Sequence, residues 1–551
     1  MKKLYLSTGY LTFILLVIID IFSIKFLPFG KFGTYLWFFS YLYVAIFACK
    51  CFWEIILYIP KKKSIFTSAL IIFLLFIIFK NIPLATNLSG ETPQEIACAL
   101  NHIEQSPDKG FRQTCLFGYP ARQYFLPTLP SLFFGRSLIN LHTGGALYFI
   151  LGLIIFSSAI LKYFNFSLFG DLVGALILSS FFHIDFFNRL LFSFEQSIFP
   201  FSFALIISGL FLHYIKDKKN TPLFLFAFIL YYLIFSYTPS LSLFFFSLMI
   251  IFCLFFNKNI NKKQKYFFIF LFISSLLLFL ISLGFRNDIQ ITGDKNITEL
   301  TSDLLLAFKH LIFQTMGINF VSPVFNFIFI FLILSPLFLF WQNSLASLWA
   351  IAVLVIAVIS RGYCYYGVDY RLHRALIIFP ILFTNFVIIL KKLKITKNKY
   401  IIKILCAYLI FFLSTGYIYQ NQYLNTKLSG QQTLHFNFIK KLEKILAIDP
   451  KNKYKTLYFT DKAHKEFVSI NDSLQYFIPN LHRQKLEQTD YTKTLSGQVI
   501  YVTTNDYSDY SIISKTDQTP YTFNDYKNSQ ASEASDISKD NTSTQYLIFI
   551  K

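Results

Sequence analysis

The sequence predicts an all-α polytopic membrane protein of about 13 transmembrane helices, followed by a small carboxyl-terminal α/β domain outside the cytoplasm. Three observations lead there. Of 551 residues, 55% are hydrophobic and 14% charged, with 70 Phe and a mean hydropathy of +0.53, values foreign to an ordinary soluble domain. Apolar runs of about 17 to 25 residues, the length that spans a bilayer, recur along residues 1–420. Lys and Arg collect in the short turns after every second run, as they do on the cytoplasmic side of membrane proteins.

The runs fall at 5–24, 34–59, 64–82, 144–161, 167–184, 191–214, 221–237, 239–256, 266–285, 318–341, 344–360, 373–390 and 400–419. Lys2 and Lys3 precede the first one, and no small-residue cleavage site follows it, so it reads as a permanent helix with a cytoplasmic amino terminus. The cytoplasmic turns then carry Lys61-Lys62-Lys63, Lys162, Lys216-Asp217-Lys218-Lys219, the cluster Lys258 to Lys265, and Lys391 to Lys399. Only the turn near Gln342 is uncharged. Pro239 divides the stretch 221–256, and the basic cluster after it argues for two spans there. The formal charge of +21 is therefore spent on orientation, not on a nucleic-acid surface.

An odd number of spans puts residues 421–551 outside. This part is polar and contains two strand-like stretches, "KTLYFTD" and "QVIYVTTND", after an amphipathic "HFNFIKKLEKILAI". Residues 526–543, "YKNSQASEASDISKDNTS", read as a flexible loop. Two domains result, the membrane domain 1–420 and the external domain 421–551.

Chemistry is expected in the external segments. The large loop 83–143 offers Glu91 and Glu95 close to the membrane surface, at the start of a short helix begun by Thr92-Pro93. Acidic residues also favour helix amino termini for dipole reasons alone, so capping is the competing role for both. The turn 183–190, within "FFHIDFFNRLLFSFEQSIFP", carries His183, Asp185 and Arg189, with Glu195 one to two turns into the next run. Ionisable groups at that depth face a protein interior or a wet cavity. Arg189 and Glu195 are six apart, off a common helical stripe, so each has its partner elsewhere or the two form an internal pair. The third segment, "RGYCYYGVDYRLHRALIIFP", sets Tyr370, Arg371, His373 and Arg374 at the outer mouth of the twelfth span. Tyrosines there suit an interfacial belt, but external cations run against the orientation rule and suit a phosphate group.

Five of the seven cysteines lie in or beside apolar runs, where a thiol acts as a small filler. Cys98 and Cys115 share the first external loop and either pair as a disulfide or remain free thiols. The sequence has no Gly-rich phosphate loop, HExxH, paired CxxC or GxSxG, which argues against a nucleotide motor or a zinc protease.

The order of these features resembles the GT-C membrane glycosyltransferases, the group that includes protein O-mannosyltransferases and lipid A aminoarabinose transferases. "GYPARQYFLPTLPSLFFGRSLINLHTGGALYFILG" is similar to the family stretch in which an aromatic-Pro pair precedes an apolar helix, a Phe-Gly turn and the next span. Tyr119, Pro120, Phe134 and Gly135 carry that match. "NRLLFSFEQSIFPFSFAL" resembles the Arg-containing turn followed by an acid, carried by Arg189 and Glu195. "YRLHRALIIFP" resembles the basic residue plus Pro of a late span, carried by Arg371 or Arg374 and Pro380. The likeness covers most of residues 64–420. Its departure is at the first loop, where "SGETPQEIACAL" has neither the Asp nor the Tyr found in many relatives.

The resemblance implies a GT-C-like fold in a bacterial inner membrane and transfer of a sugar from a polyprenyl-phosphate donor to a lipid, glycan or protein acceptor on the outer face. It implies a carboxylate base, Glu91 or Glu95, with Asp185 and Glu195 orienting acceptor or sugar. Arg189, Arg371, His373 and Arg374 would hold phosphate, with His183, Tyr119 and Tyr370 lining the substrate site. Some relatives use a divalent metal; no tight ligand set stands in this sequence, so none is assigned. A polysaccharide polymerase or ligase would instead carry a large loop late among the spans. A transporter or flippase would carry charges near mid-helix and paired broken segments.

Overall fold

The computed structural model describes residues 30–81, 125–136, 138–183, 198–217, 220–234, 262–283, 378–392, 398–427, 456–459, 482–485, 499–504 and 546–550, with the single positions 11, 15, 100, 247, 248 and 251. Ten α-helices stand among them: α1 Gly30–Leu57, α2 Ile65–Asn81, α3 Phe125–Phe134, α4 Leu138–Tyr163, α5 Leu168–Ser180, α6 Ile198–Asp217, α7 Asn220–Ile234, α8 Lys262–Leu283, α9 Ile378–Lys392 and α10 Lys399–Lys427. A single 3₁₀ turn, Phe181–His183, closes α5. Nine of these helices match expected spans, and α3 lies in the first external loop. The expected spans 5–24, 239–256, 318–341 and 344–360 lie outside the described residues, apart from the isolated positions above.

Lipid leaves its mark on which residues face outward. In α2, Ile72, Phe76 and Phe79 are each more than half exposed, as are Phe270, Ile273, Leu277 and Leu280 of α8 and Ile404, Ile410 and Tyr417 of α10. Buried positions meanwhile include Ser157 and Ser158 of α4 and Ser202 and Ser208 of α6. A water-soluble bundle would invert this, since whole-helix apolar stripes are not left in water. The window Ala146–Tyr163 has a hydropathy of 1.9 and Lys399–Ile418 one of 2.0, and both are long enough to cross a bilayer.

Helix direction follows from paired contacts. Tyr41 meets Tyr148 with ring centroids 5.9 Å apart, and Lys162 bridges Glu54 at 3.6 Å, so α1 and α4 run parallel. Phe149 meets Phe201 at 6.3 Å and Lys162 bridges Asp217 at 2.8 Å, so α6 runs with them. Lys391 donates to the backbone oxygen of Tyr163 at 2.5 Å, which ends α9 at the same level. Tyr214 packs on Phe268 at 6.0 Å, and so α8 begins there. The basic turns read from sequence thus share one end of the bundle. Both α7 and α8 start at that end, which is what the two-span reading of 221–256 requires.

At this basic end α2 and α5 are tied together. The α2 N-cap, Ser64, sends its own hydroxyl to the Ile55 oxygen at 2.7 Å, leaving the orphan N–H groups of the first turn without their usual acceptor. Asp171 of α5 supplies it. Its carboxylate accepts from Phe66 N at 3.1 Å and Thr67 N at 2.8 Å, and the Thr67 hydroxyl donates to the Asp171 backbone oxygen at 3.0 Å. Asp171 is fully buried; the positive ends of two helix dipoles and these bonds compensate the charge. Ser167 caps α5 itself, accepting from Gly170 N at 3.2 Å.

Several boundaries differ from the sequence reading. Helix α4 starts at Leu138, not 144, because Asn140 and Thr143 sit within a helix despite their polarity. Helix α5 stops at Ser180 and tightens into the 3₁₀ turn. Helix α10 continues past residue 420 to Lys427.

Farther along, four strands form one sheet of order β2-β1-β3-β4: β1 Thr456–Phe459, β2 His482–Lys485, β3 Val499–Thr504 and β4 Tyr546–Ile550. Strand β1 is parallel to β2 and β3, and β4 is antiparallel to β3, pairing Ile500 with Ile550. Strands β1 and β3 fall within "KTLYFTD" and "QVIYVTTND"; β2 and β4 were not expected.

The cap makes a direct prediction. Asp171→Ala should cost about 2 kcal/mol, since it strands the N–H groups of Phe66 and Thr67, whereas Thr67→Val, which removes only the hydroxyl bond to the Asp171 backbone oxygen, should cost less. Thermal unfolding of the detergent-purified chain measures both. An unchanged melting temperature for Asp171→Ala would mean that the carboxylate does not hold α2.

Candidate functional site

Toward the end of the bundle opposite the lysines, aromatic rings from four elements pack together. Phe181, in the turn after α5, lies 5.8 Å from Phe201 near the start of α6 and 6.0 Å from Phe383 near the start of α9. It lies 6.5 Å from Phe149 of α4. Edge-to-face and stacked geometries of this kind fix the ring positions beyond their area burial. Phe149 and Phe181 are fully buried. Below this layer Tyr148 is wedged between Tyr41 and Phe203, the latter at 5.1 Å.

Helix α4 does not stop at the layer. It continues N-terminally from Phe149 to Leu138, about 16 Å of helix at 1.5 Å per residue. There it packs beside α3, whose Thr128 and Ser131 are buried while Phe133 and Phe134 are exposed. Between the two helices the chain turns at Gly135, with φ of 86°. Gly135 N donates to the Ser131 oxygen at 3.0 Å, the left-handed C-terminal cap of an α-helix, and Asn140 Nδ2 donates to the Gly135 oxygen at 2.7 Å. The apolar helix, the Phe-Gly turn and the following span stand where "FLPTLPSLFFGRSLIN" led one to expect them.

Of the residues singled out in the sequence, the structure describes the backbone of His183, the last position of the 3₁₀ turn. Glu91, Glu95, Cys98, Cys115, Tyr119, Asp185, Arg189, Glu195, Tyr370, Arg371, His373 and Arg374 lie outside the described residues.

Other polar contacts in the bundle were not expected from the sequence. Cys51 of α1 meets His213 of α6, Sγ to Nε2 3.6 Å, both buried, and Phe47 packs its ring edge-on to His213 at 5.4 Å. Lys162 joins Glu54 and Asp217, with Lys50 3.9 Å from Glu54. These groups and Asp171 cluster toward the basic end, away from the rings. Among the described residues no three His, Cys, Asp or Glu side chains come together as a metal site.

No protein-family model matches the chain, and no curated protein matches it. Among solved structures, the crystal structure of ArnT from Cupriavidus metallidurans bound to undecaprenyl phosphate is similar. The two share 9% identity with a TM-score of 0.47, over 88% of this chain and 97% of that one.

The Gly135 turn is testable in isolation. A Cβ there would meet nothing within 4 Å, so the cost of Gly135→Ala is conformational, about 1 kcal/mol. Gly135→Asn should recover part of it, because Asn tolerates the left-handed region. Equal melting temperatures for Ala and Gly at this position would show the turn to be unconstrained.

Proposed function

We propose that the chain is a membrane glycosyltransferase that moves a sugar from a polyprenyl-phosphate-linked donor to an acceptor at the aromatic end of the bundle. The observation that carries this reading is segregation. The lysines that set membrane orientation gather at one end of the described bundle, whereas Asp185, Arg189, Glu195, Arg371, His373 and Arg374 fall in segments that the sequence reading puts on the other side. Cations there do not serve orientation. They suit the phosphate that departs when the bond between the sugar anomeric carbon and the carrier phosphate breaks.

The chemistry needs a base to take the acceptor hydroxyl proton as its oxygen attacks the anomeric carbon. Glu91 or Glu95 fills that role, and Asp185 and Glu195 orient the acceptor and the sugar. Direct displacement inverts the anomeric centre. Arg189, Arg371, His373 and Arg374 hold the developing phosphate charge, and His183, Tyr119 and Tyr370 line the substrate. In this reading the aromatic end is the outer face of a bacterial inner membrane, with the amino terminus cytoplasmic and residues after Lys427 outside. Charges in the loops that the sequence reading puts outside, and not at mid-helix, favour this over a flippase.

Purified full-length protein, given a polyprenyl-phosphate sugar donor and extracted envelope acceptors, should transfer sugar. Glu91→Gln should lower transfer by about 10²-fold or more if Glu91 is the base, with Glu95→Gln taking that loss if it is the base instead. Arg371→Ala and Asp185→Asn should each weaken donor use. Wild-type transfer by Glu91→Gln, Glu95→Gln, Asp185→Asn, Glu195→Gln and Arg371→Ala alike, at normal expression, overturns the assignment. A reporter fused after Lys427 should read outside the cytoplasm.

A further inference from the structure

At the basic end, Lys162 reaches Asp217 at 2.8 Å and Glu54 at 3.6 Å, and Lys50 approaches Glu54 at 3.9 Å. Lys216 and Lys391 differ from these two. Neither has a carboxylate within salt-bridge distance among the described residues. Lys391, in the last turn of α9, gives one N–H to the Tyr163 backbone oxygen at 2.5 Å and sits 4.0 Å from the centroid of the Tyr163 ring. Lys216, in the last turn of α6, donates to Asn165 Oδ1. Both ammonium groups are thus anchored on one turn, Tyr163 to Phe166, by neutral acceptors.

That turn is built at some cost. Asn165 has φ of 56° and Phe166 φ of 50°, and a bulky residue in the left-handed region is an outlier. The turn is held by Asn165 N donating to the Lys162 oxygen at 2.9 Å and Phe166 N to the Leu161 oxygen at 2.7 Å. The Phe166 ring stacks on Tyr58, centroids 3.9 Å apart. Two like charges converge on it from different helices. Burial and the neighbouring Lys216 charge push the Lys391 ammonium below the ordinary lysine range. Each ammonium carries three donors and uses one on the turn, leaving donors for an outside acceptor.

We infer that Lys216 and Lys391, set on the Tyr163–Phe166 turn, form a binding site for the phosphate headgroup of an anionic phospholipid at the basic membrane surface. Lysine binds phosphate as a point charge, and basic pockets at helix ends take acidic headgroups. Exposed apolar side chains border the turn: Leu168 stands two residues after it, and Leu57, Ile65 and Phe66 lie on the elements packed against it. They give acyl chains a surface that free phosphate would not need. The site does not depend on the sugar-transfer reading; it lies at the other end of the bundle.

Native mass spectrometry of the full-length chain in detergent, titrated with phosphatidylglycerol or phosphatidylcholine, tests it. The wild type should retain phosphatidylglycerol at least tenfold more tightly, and Lys216→Ala with Lys391→Ala should abolish the preference. Lys61→Ala, which removes a lysine over the Tyr58 ring at the same end, should leave it. Should the double variant fail to fold, Asn165→Ala removes the Lys216 anchor without changing charge and should weaken phosphatidylglycerol retention several-fold. The site is overturned if the preference survives the double substitution, or Asn165→Ala where that is used. It is also overturned if Lys61→Ala loses as much, the signature of diffuse surface charge, or if inorganic phosphate binds as tightly as either lipid.

Discussion

Helices α4 and α6 approach until backbone meets backbone. A Cβ added at Gly152 would lie 2.8 Å from the Ser202 oxygen and 3.0 Å from the Leu205 Cβ; one at Gly209 would lie 3.0 Å from the Ile155 carbonyl carbon. Lipid gives two apolar helices no hydrophobic reason to associate, so close contact through small residues must supply the attraction. Gly152, Ser157, Ser202, Ser208 and Gly209 provide that surface here. Larger side chains at the two glycines would part the helices along their whole shared length. Phe149 would then lose Phe201 at one end and Lys162 would lose Asp217 at the other.

Because α4 also touches α1, α3 and α5, this parallel pair works as a spine on which both ends are registered. Phe149 and Lys162 are thirteen residues apart on α4, about 20 Å of helix, which separates the ring layer from the ionic cluster. Charge then needs little burial. Lys162, Glu54 and Asp217 meet where the helices run out, and the deeply buried acid, Asp171, is absorbed as a cap shared between two helix starts. The cost of desolvating a carboxylate is met by backbone donors that would otherwise be unsatisfied.

Much of this was legible in the sequence, because membrane helices and their polarity are written in composition. The runs at 34–59 and 64–82 became α1 and α2 within a few residues, and the lysine turns that were to share a side do share an end. Gly135 was legible as well, since a Phe-Gly step after an apolar helix needs a left-handed residue. Asp171 was not: a lone acid in "SLFGDLVGALI" looks like an anomaly until its partners, 104 and 105 residues away, are known. The Cys51–His213 pair was hidden in the same way, by a separation of 162 residues. Of the candidate site residues, the structure describes the backbone of His183, which ends the turn that carries Phe181.

The proposed function bears on why arginine and histidine precede α9. Orientation is already served by Lys61 to Lys63, Lys162, Lys216 and Lys391 at one end of the bundle, and positive charge on the opposite side works against it. In the proposed reading Arg371, His373 and Arg374 are external, and so carry an energetic cost that the fold does not need; such a cost is kept where it does something else. A phosphate held by cations from one segment and approached by carboxylates from another would meet the division of labour that sugar transfer from a phosphate carrier requires.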